Sequence, residues 1–263
     1  MYYYRTMDIY KQYKAKLITI AVLITMILIG LFILNFKGCS TGKKEPEPTP
    51  TPEPTVEPTP TPEPTPEPTP EPPAVDLESD DSITRYVSQT HPISETYVPA
   101  DLRGVNVHSA ETKKLREEAA GKLEEMFKAA IDDRIYLKLV DGYRSYQYQA
   151  DLFSYYTQTR GSYYASIVDD HPGASEHQLG LAADIGCWNG ACELSYCFTK
   201  YADYTWLKEN SWKYGWIERY PDGKQSITGI VYSPWHYRYV GIDEAAKIYE
   251  SGLTMEEYYN IQG

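Results

Sequence analysis

Apolar and polar positions follow three different rules along the 263 residues. Residues 17–34, LITIAVLITMILIGLFIL, carry no charge over 18 positions, and about 20 such residues cross a bilayer core. Residues 45–73 show no hydrophobic pattern and contain only Glu, Pro, Thr and one Val. From Ser82 onward, apolar residues return at helix and strand periods. The spacing of Leu115, Ala119, Leu123, Met126, Phe127 and Ala130 predicts a helix over Ser109–Asp132. The alternating YLKLV predicts a strand over Tyr136–Val140, and Asp141-Gly142 turns the chain. A second helix is expected in YRSYQYQADLFSYYTQT, with Leu152, Tyr155 and Tyr156 on one face.

Further on, Leu181–Ile185 reads as a short strand with Asp184 at its end. Residues 187–198 read as a loop, and Thr205–Ser211 as a helix. Tyr214–Tyr220 and Ser226–Tyr232 read as the two strands of a hairpin joined by Pro221-Asp222-Gly223-Lys224. Asp243–Glu250 and Thr254–Asn260 close the chain as helices, the last opened by a capping box of Thr254 with Glu257. Helices mixed with hairpin-linked strands predict an α+β fold with a small antiparallel sheet flanked by helices.

Charge changes this picture in two places. Residues 1–44 hold seven bases and one acid, residues 45–73 seven acids and no base, and the whole chain has a net charge of −12. The bases Arg5, Lys11, Lys14 and Lys16 ahead of the apolar run orient residues 1–16 towards the cytoplasm and the bulk outside. A cleaved signal peptide is the rival reading, but small residues before a cut are scarce. The expected layout is therefore an inner terminus (1–16), a transmembrane anchor (17–34), a Pro/Glu/Thr-rich linker (35–81) and one folded domain (82–263). Fourteen of the 19 prolines lie in residues 45–73; at ~3.1 Å per residue that stretch reaches about 90 Å. The acidic balance argues against nucleic acid as a partner. Of the cysteines, Cys187, Cys192 and Cys197 cluster without the spacing of a zinc ribbon. They are either a disulfide plus a spare thiol or three small buried thiols.

The candidate chemistry lies in SEHQLGLAAD, which holds Ser175, His177 and Asp184, and in SPWHYRYVG, which holds Ser233, Trp235 and His236. Two imidazoles and a carboxylate form a plausible open zinc site, with a fourth position left for water. Arg144, Ser145 and Gln149 open the second predicted helix, where free backbone N–H groups favour an anion such as a substrate carboxylate. The alternative is that Arg144 pairs with a local acid and Ser145 caps the helix.

Taken in order, DGYRSYQYQADLF, SEHQLGLAAD and WHYRYVG resemble the signature fragments of the VanY-type D-alanyl-D-alanine carboxypeptidases. THPISETYVPADL and WLKENSWKYGWIERYP are also similar to that family. The resemblance implies a zinc peptidase acting on peptidoglycan stem peptides, D,D- or L,D-specific, with a monomeric catalytic domain. It places the zinc ligands on His177, Asp184 and His236 and the oxyanion-stabilising arginine on Arg144. It puts Ser145, Gln149, Ser175 and Trp235 around the substrate. The family has a glutamate three residues before the last ligand, where this chain has Ser233, so the general base is missing from its place. Two outcomes are open: a catalytically impaired, zinc-containing peptidoglycan-binding module, or a base supplied elsewhere. Glu218 is the candidate, because pairing of residue 218 with 231 in the predicted hairpin would set it on the face of Ser233.

Overall fold

The fold is seen in a computed structural model that describes residues 75–261. The expected terminal segment, anchor and most of the linker lie outside the described residues, among which no helix is long and apolar enough to cross a membrane. Two antiparallel sheets and seven α-helices are described. Strands β1 (Leu102–Gly104) and β2 (Lys114–Arg116) form a two-stranded ribbon. Strands β3 (Leu137–Asp141), β4 (Ala182–Cys187), β5 (Trp216–Glu218) and β6 (His236–Tyr239) form a four-stranded antiparallel sheet in the order β3-β4-β6-β5. The helices are α1 (Glu117–Asp132), α2 (Tyr146–Arg160), α3 (Ser162–Val168), α4 (Ala202–Asn210), α5 (Gln225–Thr228), α6 (Ile242–Ser251) and α7 (Met255–Tyr258). The class is α+β, as the pattern predicts.

Helix α1 is shorter than its periodicity suggests. Leu115 continues the apolar stripe at the right step, yet residues 114–116 pair with β1. Leu115 is fully buried all the same, because a strand can deliver it to the same core. The stripe cannot tell the two apart, and the backbone hydrogen bonds offered by β1 decide. Within the helix, Leu123, Met126 and Phe127 are buried, each worth about 1.5–3 kcal/mol of apolar transfer. Glu117 and Glu118 in the first turn complement the helix dipole.

The two faces of the large sheet have opposite character. Cross-strand partners share a face, so the register sorts the side chains. Asp184 pairs with His236 and Ala182 with Arg238, which puts a polar row on one face. Ala183 pairs with Tyr237, and Leu139 with Ile185. These join Leu137, Trp216 and Tyr239 in the main apolar core under α1. Asp184 is the third residue of the six-residue β4, not near its end as the sequence suggests.

The predicted hairpin does not form. Residues 225–228 are a helical turn that ends at Gly229 with φ +79, and the partner of β5 is β6. Strand β5 is only three residues long, and the fully buried HYRY stretch offers it a better edge than a segment broken by Gly229. The final helix keeps its predicted capping box of Thr254 with Glu257.

Under the polar face lies a buried ionic cluster. Glu176 is fully buried and accepts from Arg219 Nε at 2.7 Å and Arg238 Nη1 at 3.0 Å. Arg219 also grips Glu256 with two nitrogens, at 3.0 and 2.7 Å. Burial alone would raise the Glu176 pKa, but the two guanidiniums hold it well below its ordinary 4.5. A carboxylate lowered in the folded state stabilises the fold above its ordinary pKa and stops doing so as pH falls. The urea midpoint of the full chain is therefore expected to drop as pH falls below 4.5. At neutral pH, Arg219→Ala should cost about 3–5 kcal/mol, because it leaves buried carboxylates unpaired. A urea midpoint unchanged in that variant would show the cluster to be energetically idle.

Candidate active site

Three elements bring the ligand candidates together. His177 stands on the turn of residues 176–180, Asp184 on β4 and His236 on β6. All three are buried, and one donor atom from each lies within 4.8 Å of the others. The Nδ1 of His177 is 2.6 Å from the Gly142 carbonyl, which can only accept. The ring proton therefore sits on Nδ1, and the Nε2 lone pair points inward. Among the described residues that Nε2 is buried without a hydrogen-bond partner, and it faces Asp184 Oδ2 at 3.5 Å. Two electron pairs facing each other in a buried place call for a cation between them. Tetrahedral zinc with bonds of ~2.0–2.2 Å separates its ligands by roughly 3.3 Å, close to this gap and to the 3.1 Å from His236 Nδ1 to Asp184 Oδ1. The set of two imidazoles and one carboxylate suits zinc.

The second nitrogen of His236 is also held, with Nε2 at 3.4 Å from Glu176 Oε2. Glu176 thus fixes the ring so that Nδ1 faces the metal place, while two arginines fix Glu176. In the sequence this residue stands out only as part of a motif. The signal that it is buried and paired is its place between Ser175 and His177, in a stretch otherwise small and apolar. Burial would lower the His236 pKa, but Asp184 and Glu176 outweigh it and lift it to about 9.

A β-bulge sets the remaining charge. Between Leu139 and Asp141 the register of β3 shifts against β4, so that Asp141 lies opposite Asp184. In a regular strand Asp141 would share the core face of Leu139. Arg144 bridges the pair, with Nε at 2.8 Å from Asp141 and Nη2 at 2.8 Å from Asp184. Gly142 follows the bulge for lack of room: a Cβ there would lie 2.6 Å from the Lys114 carbonyl oxygen.

A cavity of about 400 Å³ opens beside these residues. Tyr156, Tyr164, Tyr196, Tyr220 and Trp235 form much of its apolar wall, and Arg144, His177, Asp184, Ser233 and His236 its polar end. A size of ~300–1,000 Å³ is usual for a small-molecule pocket. Cys192 and Cys197 form a disulfide, closing a loop from which Leu194, Ser195 and Tyr196 reach the wall; Cys187 is buried and unpaired among the described residues.

Several expected site residues do other things. Ser145 caps α2, accepting from the Tyr148 N–H at 3.2 Å. Gln149 is buried and donates to Asp169 Oδ1 and the Asp170 carbonyl, at 3.0 and 2.7 Å. Ser175 is fully buried. None of the three lines the cavity, whereas Trp235 does. Tyr155, expected on the packed face of α2, is 60% exposed. Glu218 pairs with Tyr237, the neighbour of His236, so it stands on the opposite face from the ligands. There it accepts from Tyr204 Oη at 3.1 Å. It cannot serve as base in this cavity, because the hairpin that would have turned it inward does not exist. The Ser233 hydroxyl donates to the Val231 carbonyl at 3.0 Å.

The profile of the VanY D-alanyl-D-alanine carboxypeptidase family matches residues 112–242. YodJ of Bacillus subtilis (strain 168) is 38% identical over 188 residues, 70% of this chain and 69% of that protein. The LD-carboxypeptidase LdcB, whose structure concerns peptidoglycan recognition, superposes with a TM-score of 0.66 at 38% identity, over 69% of this chain and 87% of that one. A mutant of the vancomycin-resistance D,D-pentapeptidase VanY, solved with Zn(II), superposes with a TM-score of 0.58 at 34% identity, over 68% of this chain and 99% of that one. The chain belongs to the VanY D-alanyl-D-alanine carboxypeptidase family.

Metal binding has a proton cost that can be measured. With His236 raised to about 9, its ring is protonated at neutral pH and must lose a proton to ligate. Zinc affinity should rise with pH up to about 9, and each zinc taken up at pH 7 should release a proton. Calorimetry of the full chain in buffers of different ionisation enthalpy reads that proton. Asp184→Asn should weaken zinc by at least the ~10–100-fold seen for residues that only support a ligand.

Proposed function

We propose that this chain is a membrane-anchored zinc carboxypeptidase that removes the terminal D-alanine from peptidoglycan stem peptides ending in D-alanyl-D-alanine. The observation that carries the reading is the cation-sized gap among His177, Asp184 and His236 at the polar end of a cavity of about 400 Å³. Zinc held there would act as a Lewis acid on the scissile carbonyl and supply an acidified water near neutral pH.

The chain's own residues complete the site. Arg144 is buried, which opposes its charge, but Asp184 and Asp141 keep its pKa raised. Its guanidinium is a fixed cation in the wall, suited to the negative charge that develops as a carbonyl is attacked. Tyr196 and Trp235 supply apolar surface that excludes water from the peptide. The domain acts as a monomer, with the stem peptide entering from the cell-wall side. Two observations support that placement. Residues 17–34 suit an anchor, and the Cys192–Cys197 disulfide suits an oxidising exterior.

The test is to incubate the zinc-loaded full chain with a stem pentapeptide and with the tetrapeptide lacking the last residue. Release of one D-alanine from the pentapeptide, abolished by a chelator and restored by zinc, is the expected result. Release from the tetrapeptide alone would make it an L,D-carboxypeptidase. Zinc and peptide binding without release would make it the peptidoglycan-binding module that Ser233 admits.

A further inference from the structure

Hydrolysis of a peptide bond needs a group that takes a proton from water and returns it to the leaving amine. Four carboxylates stand in the cavity wall: Asp141, Asp169, Asp170 and Asp184. Three are committed. Asp184 faces the metal place, and Asp141 accepts from Arg144 Nε and the Gly142 N–H, at 2.8 and 2.9 Å. Asp169 accepts from Gln149, and its other oxygen is sealed from solvent. Asp170 differs from them all. Among the described residues its carboxylate enters no hydrogen bond and no ion pair, and the residue is only half-buried. Its backbone is nevertheless fixed, because Gln149 Nε2 donates to its carbonyl at 2.7 Å.

The alternatives inside and around the cavity are unsuited. The Ser233 hydroxyl has no acid strength near neutral pH and spends its proton on Val231. Glu176 is locked by two arginines, and Glu218 stands on the far face of the sheet.

We propose that Asp170 is the proton carrier of this active site, in the capacity for which position 233 offers no carboxylate. Its carboxylate accepts a proton from the attacking water as the water oxygen bonds to the carbonyl carbon. As the C–N bond breaks, the same proton passes to the leaving nitrogen, giving a carboxylate-ended peptide and a free amino acid. The electrostatics suit the task. Burial pushes the Asp170 pKa up to about 7, against the opposing pull of His236, with Asp169 and Glu176 adding to the rise and Arg144 opposing it. Tyr220, whose phenol stays protonated through burial and the nearness of Asp170 and Glu176, stands in the same cavity wall two residues past β5. A carrier poised near the working pH moves protons best in both directions.

The inference rests on the peptidase reading, and its test separates the two. In the zinc-loaded full chain, Asp170→Asn should lower kcat on the pentapeptide by at least ~100-fold, with KM and zinc content unchanged. The wild-type rate should rise with pH through an acid limb at or below about 7, since the carboxylate must start deprotonated and a bound dication draws it down. The limb should vanish in the variant, and Ser233→Glu added to Asp170→Asn should restore turnover. Independently of activity, carboxyl NMR of the zinc-free chain should show one aspartate, absent from Asp170→Asn, that titrates well above the ordinary range. An Asp170→Asn variant with normal kcat would overturn the proposal, as would one with raised KM alone, which would make Asp170 a contact for a substrate amine. A wild type that is inert while Ser233→Glu turns over would overturn it too, and would make the natural chain the peptidoglycan-binding module that Ser233 admits, with a metal site still competent for the chemistry. If both were inert with zinc bound, the peptidase reading would fall and the proposal with it.

Discussion

The carboxylate of Glu176 is the point on which the rest of the site hangs. It is fully buried, and its charge is tolerated only because Arg219 and Arg238 meet it from two sides. Each arginine is committed elsewhere as well: Arg219 to Glu256, Arg238 to the carbonyls of Ile83 and Arg85. The segment before β1, the strand β6 and the helix α7 are thereby tied to one another through a single acid. That acid also fixes the His236 ring. The orientation of a metal ligand is in this way a property of the whole ionic cluster, not of the strand that carries it.

The site is polar on one face of a sheet whose other face is apolar, and this division decides which groups can take part. Asp184, His236 and Arg238 stand on the polar face; Glu218, one strand over, has the parity of Tyr237 and is excluded. Asp170 enters by another route, from the loop that follows α3 and is tethered by Gln149. A proton carrier on a loop is spatially independent of the strand that bears the last ligand. The identity of residue 233 can therefore change without emptying the cavity of usable carboxylates.

Much of this was legible in the chain itself. The 3.6-residue stripe of α1 from Ala119 onward and the capping box of α7 report local chemistry, and both hold. The three ligand candidates stood out by residue type in a small, glycine-containing stretch and before a buried strand. The hairpin failed because alternation in residues 226–232 says nothing about which strand edge is available, and β6 was the better partner for β5. The roles of Arg144 and Ser145 were open between substrate contact and local pairing, and the acid that pairs with Arg144 is brought to it by a bulge that no pattern announces. Glu176, Arg219 and Arg238 are ordinary charges in a sequence and become structural only when three separate segments meet. The same is true of Asp170, whose distinction is the absence of a partner for its carboxylate among the described residues.

The bulge in β3 carries one more consequence. The strand absorbs Val140 as the extra residue of the bulge, and Asp141 thereby stays opposite Asp184. Local backbone geometry, which no residue type announces, is here a determinant of function in its own right. A chain in which β3 ran through Val140 without the bulge would keep every ligand, every charged residue and every signature fragment, yet its Asp141 would be turned towards the core and Arg144 would lose its second anchor. By composition and motif such a chain would be indistinguishable from this one.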